Sequence, residues 1–147
     1  RYFFEPVPGL LSGRHKGAAE AKSEILIFID DDIRVDKQWL SSIIQTFADP
    51  TVKLVGGRNL PLYESDPPDW LQWFWITTPE GKMCGDLSLL DFGDKVKVVD
   101  PVYVWGLNFS IRKSALNELG GFHPDNIPAK IQYFQGDGES GLSFKAK

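Results

Sequence analysis

Only one cysteine, Cys84, occurs in the 147 residues, so no internal disulfide can form, and a reducing compartment fits. With two histidines and that one cysteine, no Cys/His spacing points to a zinc site. Basic residues are not in excess. The net charge is −4, and outside the short Arg14-His15-Lys16 cluster the positive residues are scattered, which excludes the basic face of a nucleic-acid binder. No apolar run approaches the ~18 residues of a membrane span. Repeats and low-complexity tracts are absent, and 42% hydrophobic with 24% charged residues is globular composition with one core. The chain opens on Arg1 without a signal-like segment and closes without a helix-stop residue, so a piece cut from a longer protein at both ends is expected.

What is present begins with a short extended stretch at 1–4 and a Pro-Gly loop, then small and charged residues at 12–21 that favour a helix. Residues 24–30 (EILIFID) form a continuous apolar run with β-branched and aromatic residues, which predicts a parallel strand covered on both faces. Asp36 is placed to cap a helix over 37–47, with Trp39, Leu40, Ile43, Ile44 and Phe47 on one side and Asp49-Pro50 as its stop. A second strand is expected within 52–60 and two more within 95–112. A short helix follows at 114–119, ended by Gly120-Gly121. Helices and strands alternate, which favours an α/β sheet with flanking helices.

Asp30, Asp31 and Asp32 stand where the first apolar strand ends, and ligands of open α/β sheets bind beyond the carboxyl ends of strands. Side chains alternate along extended backbone, so Asp30 and Asp32 face the same side and Asp31 the other. Carboxylates so close repel one another, and a divalent cation reverses that cost. Mg²⁺ and Mn²⁺ favour oxygen ligands and typically take one or two carboxylates plus substrate phosphates. The competing reading is an acidic turn before the next helix, a task that Asp36 alone could fill.

With their surroundings, these residues resemble family 2 glycosyltransferases of the GT-A fold. The stretch GLLSGRHKGAAEAKSEILIFIDDD is similar to that family's basic helix and strand ending in D-x-D. VWGLNFSIRKSALNELGGF resembles its later G-x-N-x-x-x-R region, and GDGESGLSFKAK its acidic helix start. The resemblance implies the central and C-terminal part of one catalytic domain, spanning 1–147, in a partial GT-A-like mixed sheet. It also implies transfer of a sugar from a nucleotide diphosphate sugar to an acceptor hydroxyl, with inversion, supported by Mn²⁺ or Mg²⁺. Asp32 and Asp30 would then hold the metal, with Asp30, Asp31 and Arg14 on the donor side. Asn108, Arg112 and Trp105 would face a saccharide or lipid-linked acceptor, although Arg112 reads equally well as a structural ion-pair former.

The acceptor proton would go to Glu139 or, because the pattern is shifted here, to Asp137. Nothing before Arg1 supplies the family's first nucleotide-binding unit, so an inactive fragment with unpaired strand edges and self-association is expected. A cytoplasmic place at the inner membrane face, with peripheral association, follows from the resemblance, as does a role in polysaccharide or cell-envelope synthesis. A metal-dependent nucleotidyltransferase and a non-catalytic carbohydrate-binding domain are the competing functions.

Trp70, Trp73, Phe74 and Trp75 after Pro67-Pro68 suit a short helix, whose aromatic side would pack in the core, face an acceptor or membrane, or stack on sugar. Gly56, Gly57, Gly106 and Gly120 read as backbone-geometry positions, His123 as a loop residue, and Met83 and Cys84 as part of a polar loop.

Overall fold

The computed structural model describes residues 1–122 and 138–147. They divide into two units, Arg1–Gly56 with Asp100–Lys147, and Gly57–Val99.

In the first unit, helix α1 (Leu10–Glu20) leads into strand β1 (Ile25–Ile29). Asp36 accepts a hydrogen bond from the Gln38 N–H at 2.8 Å in the turn before α2 (Trp39–Thr46), but the helix starts two residues later than expected and its N-cap, Gln38, makes no side-chain cap bond, so Asp36 is not the cap. Ile43 and Phe47 are buried, whereas Leu40 and Ile44 on the same predicted stripe are exposed. Strand β2 (Leu54–Gly56) is short. The expected extended stretch at 1–4 is irregular, and only one of the two strands expected within 95–112 forms. Val96 and Val98 are almost fully exposed, so nothing rewards their β-branched side chains with burial.

Strand β6 (Asn108–Arg112) lies between β1 and β2 and pairs antiparallel with both. The parallel pairing expected for 24–30 is therefore corrected: β1 and β2 run the same way but are held apart by β6. Coverage on both faces also belongs to β6, whose first four residues are all buried, and not to β1, where only Leu26 is. The apolar run marked the strand correctly, but the central place went to NFSIR because sheet order is set by pairing partners distant in sequence.

Cross-strand register puts Leu26 opposite Ile111 and Phe28 opposite Phe109, so these side chains share a face. That face joins Ala18 of α1, Leu142 of α4 (Glu139–Lys145), and Ala115 and Leu116 of α3 (Lys113–Glu118) in one apolar cluster completed by Val104 and Phe122. Phe109, Ile111, Phe122 and Leu142 are at most 1% exposed, and each such burial contributes roughly 1.5–3 kcal/mol. Phe28, Phe109 and Phe122 pack as a ring trio with centroids 5.2–6.2 Å apart. Helix α3 ends, as expected, at Gly120 and Gly121, with φ of 81° and 86°. These left-handed values favour glycine.

The second unit carries an antiparallel sheet of β3 (Ile76–Thr77), β4 (Lys82–Cys84) and β5 (Leu89–Asp91) that the sequence reading did not anticipate. Met83 and Cys84 are in β4 rather than a loop, and Cys84 is fully buried beside that sheet's other buried residues, Leu89 and Leu90. Asn59 exchanges two 2.9 Å backbone hydrogen bonds with Leu90. The aromatic segment forms a 3₁₀ helix over Asp69–Phe74, one turn type tighter than expected. Trp70, Trp73 and Phe74 are 52%, 79% and 45% exposed, so the core-packing reading of this segment is set aside.

Candidate functional site

The end of β1 and the start of β6 meet at the Ile29–Asn108 pair. Asp30 comes one residue after Ile29, and Gly106 two residues before Asn108, so the carboxylate run and the Trp105–Asn108 loop share one end of the sheet. Asp30, Asp31 and Asp32 are all exposed. Among the described residues no hydrogen bond or ion pair engages their carboxylates. Their oxygens are thus available, and the all-oxygen donor set suits Mg²⁺ or Mn²⁺. Among the described residues no group of three or more His, Cys, Asp or Glu side chains converges into a cage. A cation that shares its shell with substrate phosphates does not need one.

Asn108 is buried, and its Oδ1 accepts from the indole N–H of Trp39 at 3.1 Å. Trp39 read from the sequence only as a residue of the α2 stripe; nothing local to it announces a partner 69 positions away. Trp105 donates its indole N–H to the Val102 carbonyl at 3.1 Å, and its own carbonyl accepts the Asn108 N–H at 3.0 Å.

Glu139, the first residue of α4, reaches the same loop. Its Oε1 accepts the Gly106 N–H at 3.0 Å, and its Oε2 pairs with Nη1 of Arg14 from α1. The pair is sheltered, with Arg14 7% and Glu139 14% exposed. The Arg14 guanidinium also lies 5.6 Å from the Phe122 ring centroid, a cation–π distance. Gly106 does not have the left-handed backbone of a geometry position; a Cβ there would instead meet the side-chain ends of Arg14 and Glu139, standing 2.8 Å from Glu139 Cδ.

The basic cluster is divided among three tasks. Arg14 points inward to Glu139, His15 accepts the Phe122 N–H on Nε2 at 3.1 Å, and Lys16 pairs with Glu20 one turn on at 2.9 Å. Arg112 closes the opposite end of β6, four residues or roughly 13 Å from Asn108. It donates to the carbonyls of Phe47, Asp49 and Val52 and to the Glu24 carboxylate at 2.7–3.1 Å. Of its two sequence readings, the structural one matches this placement. Asp137 and His123 lie outside the described residues.

In a comparison against known families, glycosyl transferase family 2 matches residues 1–120. The chain belongs to glycosyl transferase family 2. Its α/β sheet with flanking helices is accordingly part of a GT-A fold. A pre-mycofactocin glycosyltransferase of Mycobacterium tuberculosis is 30% identical over 118 residues, which cover 78% of this chain and 23% of the relative. A glucosyl-dolichyl phosphate glucuronosyltransferase of Haloferax volcanii is 25% identical over 117 residues, 78% of this chain and 34% of the relative. An inactive polypeptide N-acetylgalactosaminyltransferase-like protein 5 of Macaca fascicularis is 26% identical over 130 residues, 80% of this chain and 28% of the relative. The family 2 chain therefore spans about a quarter to a third of the curated relatives it matches. No solved structure gives a significant match. No helix among the described residues is long and apolar enough to cross a membrane.

Proposed function

We propose that the protein carrying this chain transfers a sugar from a nucleoside-diphosphate sugar to an acceptor hydroxyl. The observation that carries this reading is the exposed Asp30-Asp31-Asp32 run at the sheet end of a family 2 chain, with oxygens that no described residue occupies. In the reaction the acceptor oxygen forms a bond to the anomeric carbon as the bond from that carbon to the diphosphate breaks. The electron pair leaves with the nucleoside diphosphate, and the acceptor proton passes to a carboxylate. Attack opposite the leaving group inverts the anomeric configuration.

Asp32 and Asp30 would hold Mn²⁺ or Mg²⁺, whose chemistry is to stabilise charge on the departing diphosphate. Asp31, on the other side of the strand end, is left for the donor. Asn108 and Trp105 orient the acceptor from the adjoining loop. For the proton acceptor the sequence offers Glu139 and Asp137. The name of the Haloferax relative, which specifies a dolichyl phosphate glucoside, supports a saccharide or lipid-linked acceptor.

Incubation of the protein with a panel of UDP- and GDP-sugars, Mn²⁺ and glycan acceptors tests the reading. Release of nucleoside diphosphate with an inverted glycoside is expected. Release of nucleoside monophosphate points instead to cleavage between the α and β phosphates and overturns transfer, and a retained configuration overturns the direct displacement. The relative named as inactive favours one second reading, a binding domain without turnover. Glycan binding indifferent to divalent metal, with no product from any donor, would establish that reading in place of transfer.

A further inference from the structure

The aromatic segment of the second unit serves neither its sheet nor a core. The six-residue 3₁₀ helix Asp69–Phe74 buries none of its residues. Trp70 and Trp73 are three positions apart, the spacing at which 3₁₀ side chains eclipse, so both indoles stand on one side, roughly 6 Å apart along the axis. Asp69 and Gln72 have the same spacing and form the adjoining row.

The rings are held in place before anything binds. Pro67 and Pro68 stiffen the chain where it enters the helix, and the Pro68 carbonyl accepts the Leu71 N–H at 3.0 Å. Phe74 packs edge-on against Trp70, with ring centroids 5.8 Å apart. Groups already ordered bind at a lower entropic cost than groups that must first be fixed.

The surroundings of the rings select among ligands. From residue 59 to residue 81 there is no Lys, Arg or His, whereas Glu64, Asp66, Asp69 and Glu80 are acidic. Asp69 and Gln72 are exposed, and among the described residues no hydrogen bond or ion pair engages their side chains. An interfacial membrane helix carries Lys or Arg beside its aromatic residues, and an anionic leaflet would repel these carboxylates. The core of a protein–protein interface is depleted in Asp and Glu, yet Asp69 shares a helix turn with Trp70. Quaternary ammonium groups are taken by aromatic cages, and two indoles on one side of one helix do not surround a cation. A saccharide suits both rows. Its C–H face meets the electron-rich face of an indole, and its hydroxyls donate to a carboxylate and to an amide oxygen.

We propose that Trp70 and Trp73 are a stacking platform for an uncharged glycan chain, whose hydroxyls are taken by Asp69 and Gln72. The platform lies within the second unit and needs no metal. That the glycan held there is the acceptor rests on the transfer reading; that it is held does not.

The test is titration of the wild-type chain, in EDTA, with neutral gluco-, manno- and chito-hexasaccharides and with an oligouronate of equal length, followed by calorimetry and tryptophan fluorescence. Saturable binding of a neutral hexasaccharide with a change in indole emission is expected, and weaker binding of the oligouronate, whose carboxylates face Asp69. Trp73→Ala is expected to weaken the neutral ligand roughly tenfold or more, the scale on which aromatic anchors count, and Trp73→Phe to recover part of that loss. Because Trp73 is 79% exposed, both variants should keep the wild-type midpoint in urea. The proposal is overturned if no hexasaccharide binds, if Trp73→Ala binds as wild type does, or if the oligouronate is held as tightly as the neutral chains. Trp73-dependent adsorption to phosphatidylcholine vesicles, or a Trp73-dependent dimer in sedimentation, with no glycan bound, overturns it in favour of a membrane or a second copy. If the protein binds the glycan but turns over no donor, the transfer reading fails and the platform stands. Turnover without Trp73-dependent glycan binding has the reverse meaning.

Discussion

Arg112 joins the far end of β6 to the exit of α2, through bonds to three backbone carbonyls and Glu24. Truncation to Ala leaves those carbonyls without their charged donor, so Arg112→Ala should lose about 1.5–3 kcal/mol in urea unfolding. Metal–nucleotide binding should be unchanged in the folded fraction, and a raised KM for the acceptor without loss of stability would return Arg112 to the acceptor site. At the other end of the strand, Gly106→Ala forces a methyl group into the Arg14–Glu139 pair, and overpacking of this kind costs about 1–3 kcal/mol. A Gly106→Ala variant as stable as wild type in the same unfolding measurement would mean that the clasp is looser than its geometry. The Asp run, Glu139 and Asn108 were visible in the sequence because their motifs are local. The bonds of Asn108 to Trp39 and of Glu139 to Arg14 were not, because each joins residues that only the fold brings together.

Elements that announce themselves by local chemistry were legible: α1, β1, and α3 with its Gly-Gly stop. Those that depend on distant partners were not. β1 carries the most apolar run but is only half covered, whereas β6, with Asn108 and Ser110 in it, is central. The sheet of β3, β4 and β5 escaped notice because two- and three-residue strands leave no periodicity to read. In that sheet Arg58 donates to Asp91 at 2.8 Å, and this bond holds the Asp91 carboxyl below its ordinary range against the opposing effect of desolvation. A lowered folded-state value contributes stability above the ordinary carboxylate pKa, and the contribution fades as pH falls from roughly 4 through the folded value. Asp91→Asn should therefore lose stability at neutral pH and show a shallower acid limb than wild type, followed by urea unfolding across that range. An unchanged acid limb would mean the bond is too solvent-screened to matter. The nearby 3₁₀ helix makes the contrary case: with Trp73 79% exposed, Trp73→Ser should stay within about 0.5 kcal/mol of wild type, and a larger loss would reinstate core packing.

At the scale of the molecule, the strand-end carboxylates have no partner among the described residues, while the clasp between α1, the Gly106 loop and α4 is made within the chain. In the proposed transfer site, metal and phosphate would each lower the cost of accepting the other. Calorimetric titration of Mn²⁺ into the wild-type chain and into Asp32→Ala, each with and without UDP or GDP, tests this most directly. The account predicts Mn²⁺ binding that tightens with the nucleotide and is lost in Asp32→Ala. Mn²⁺ binding of equal strength in both proteins, or none in either, would contradict it.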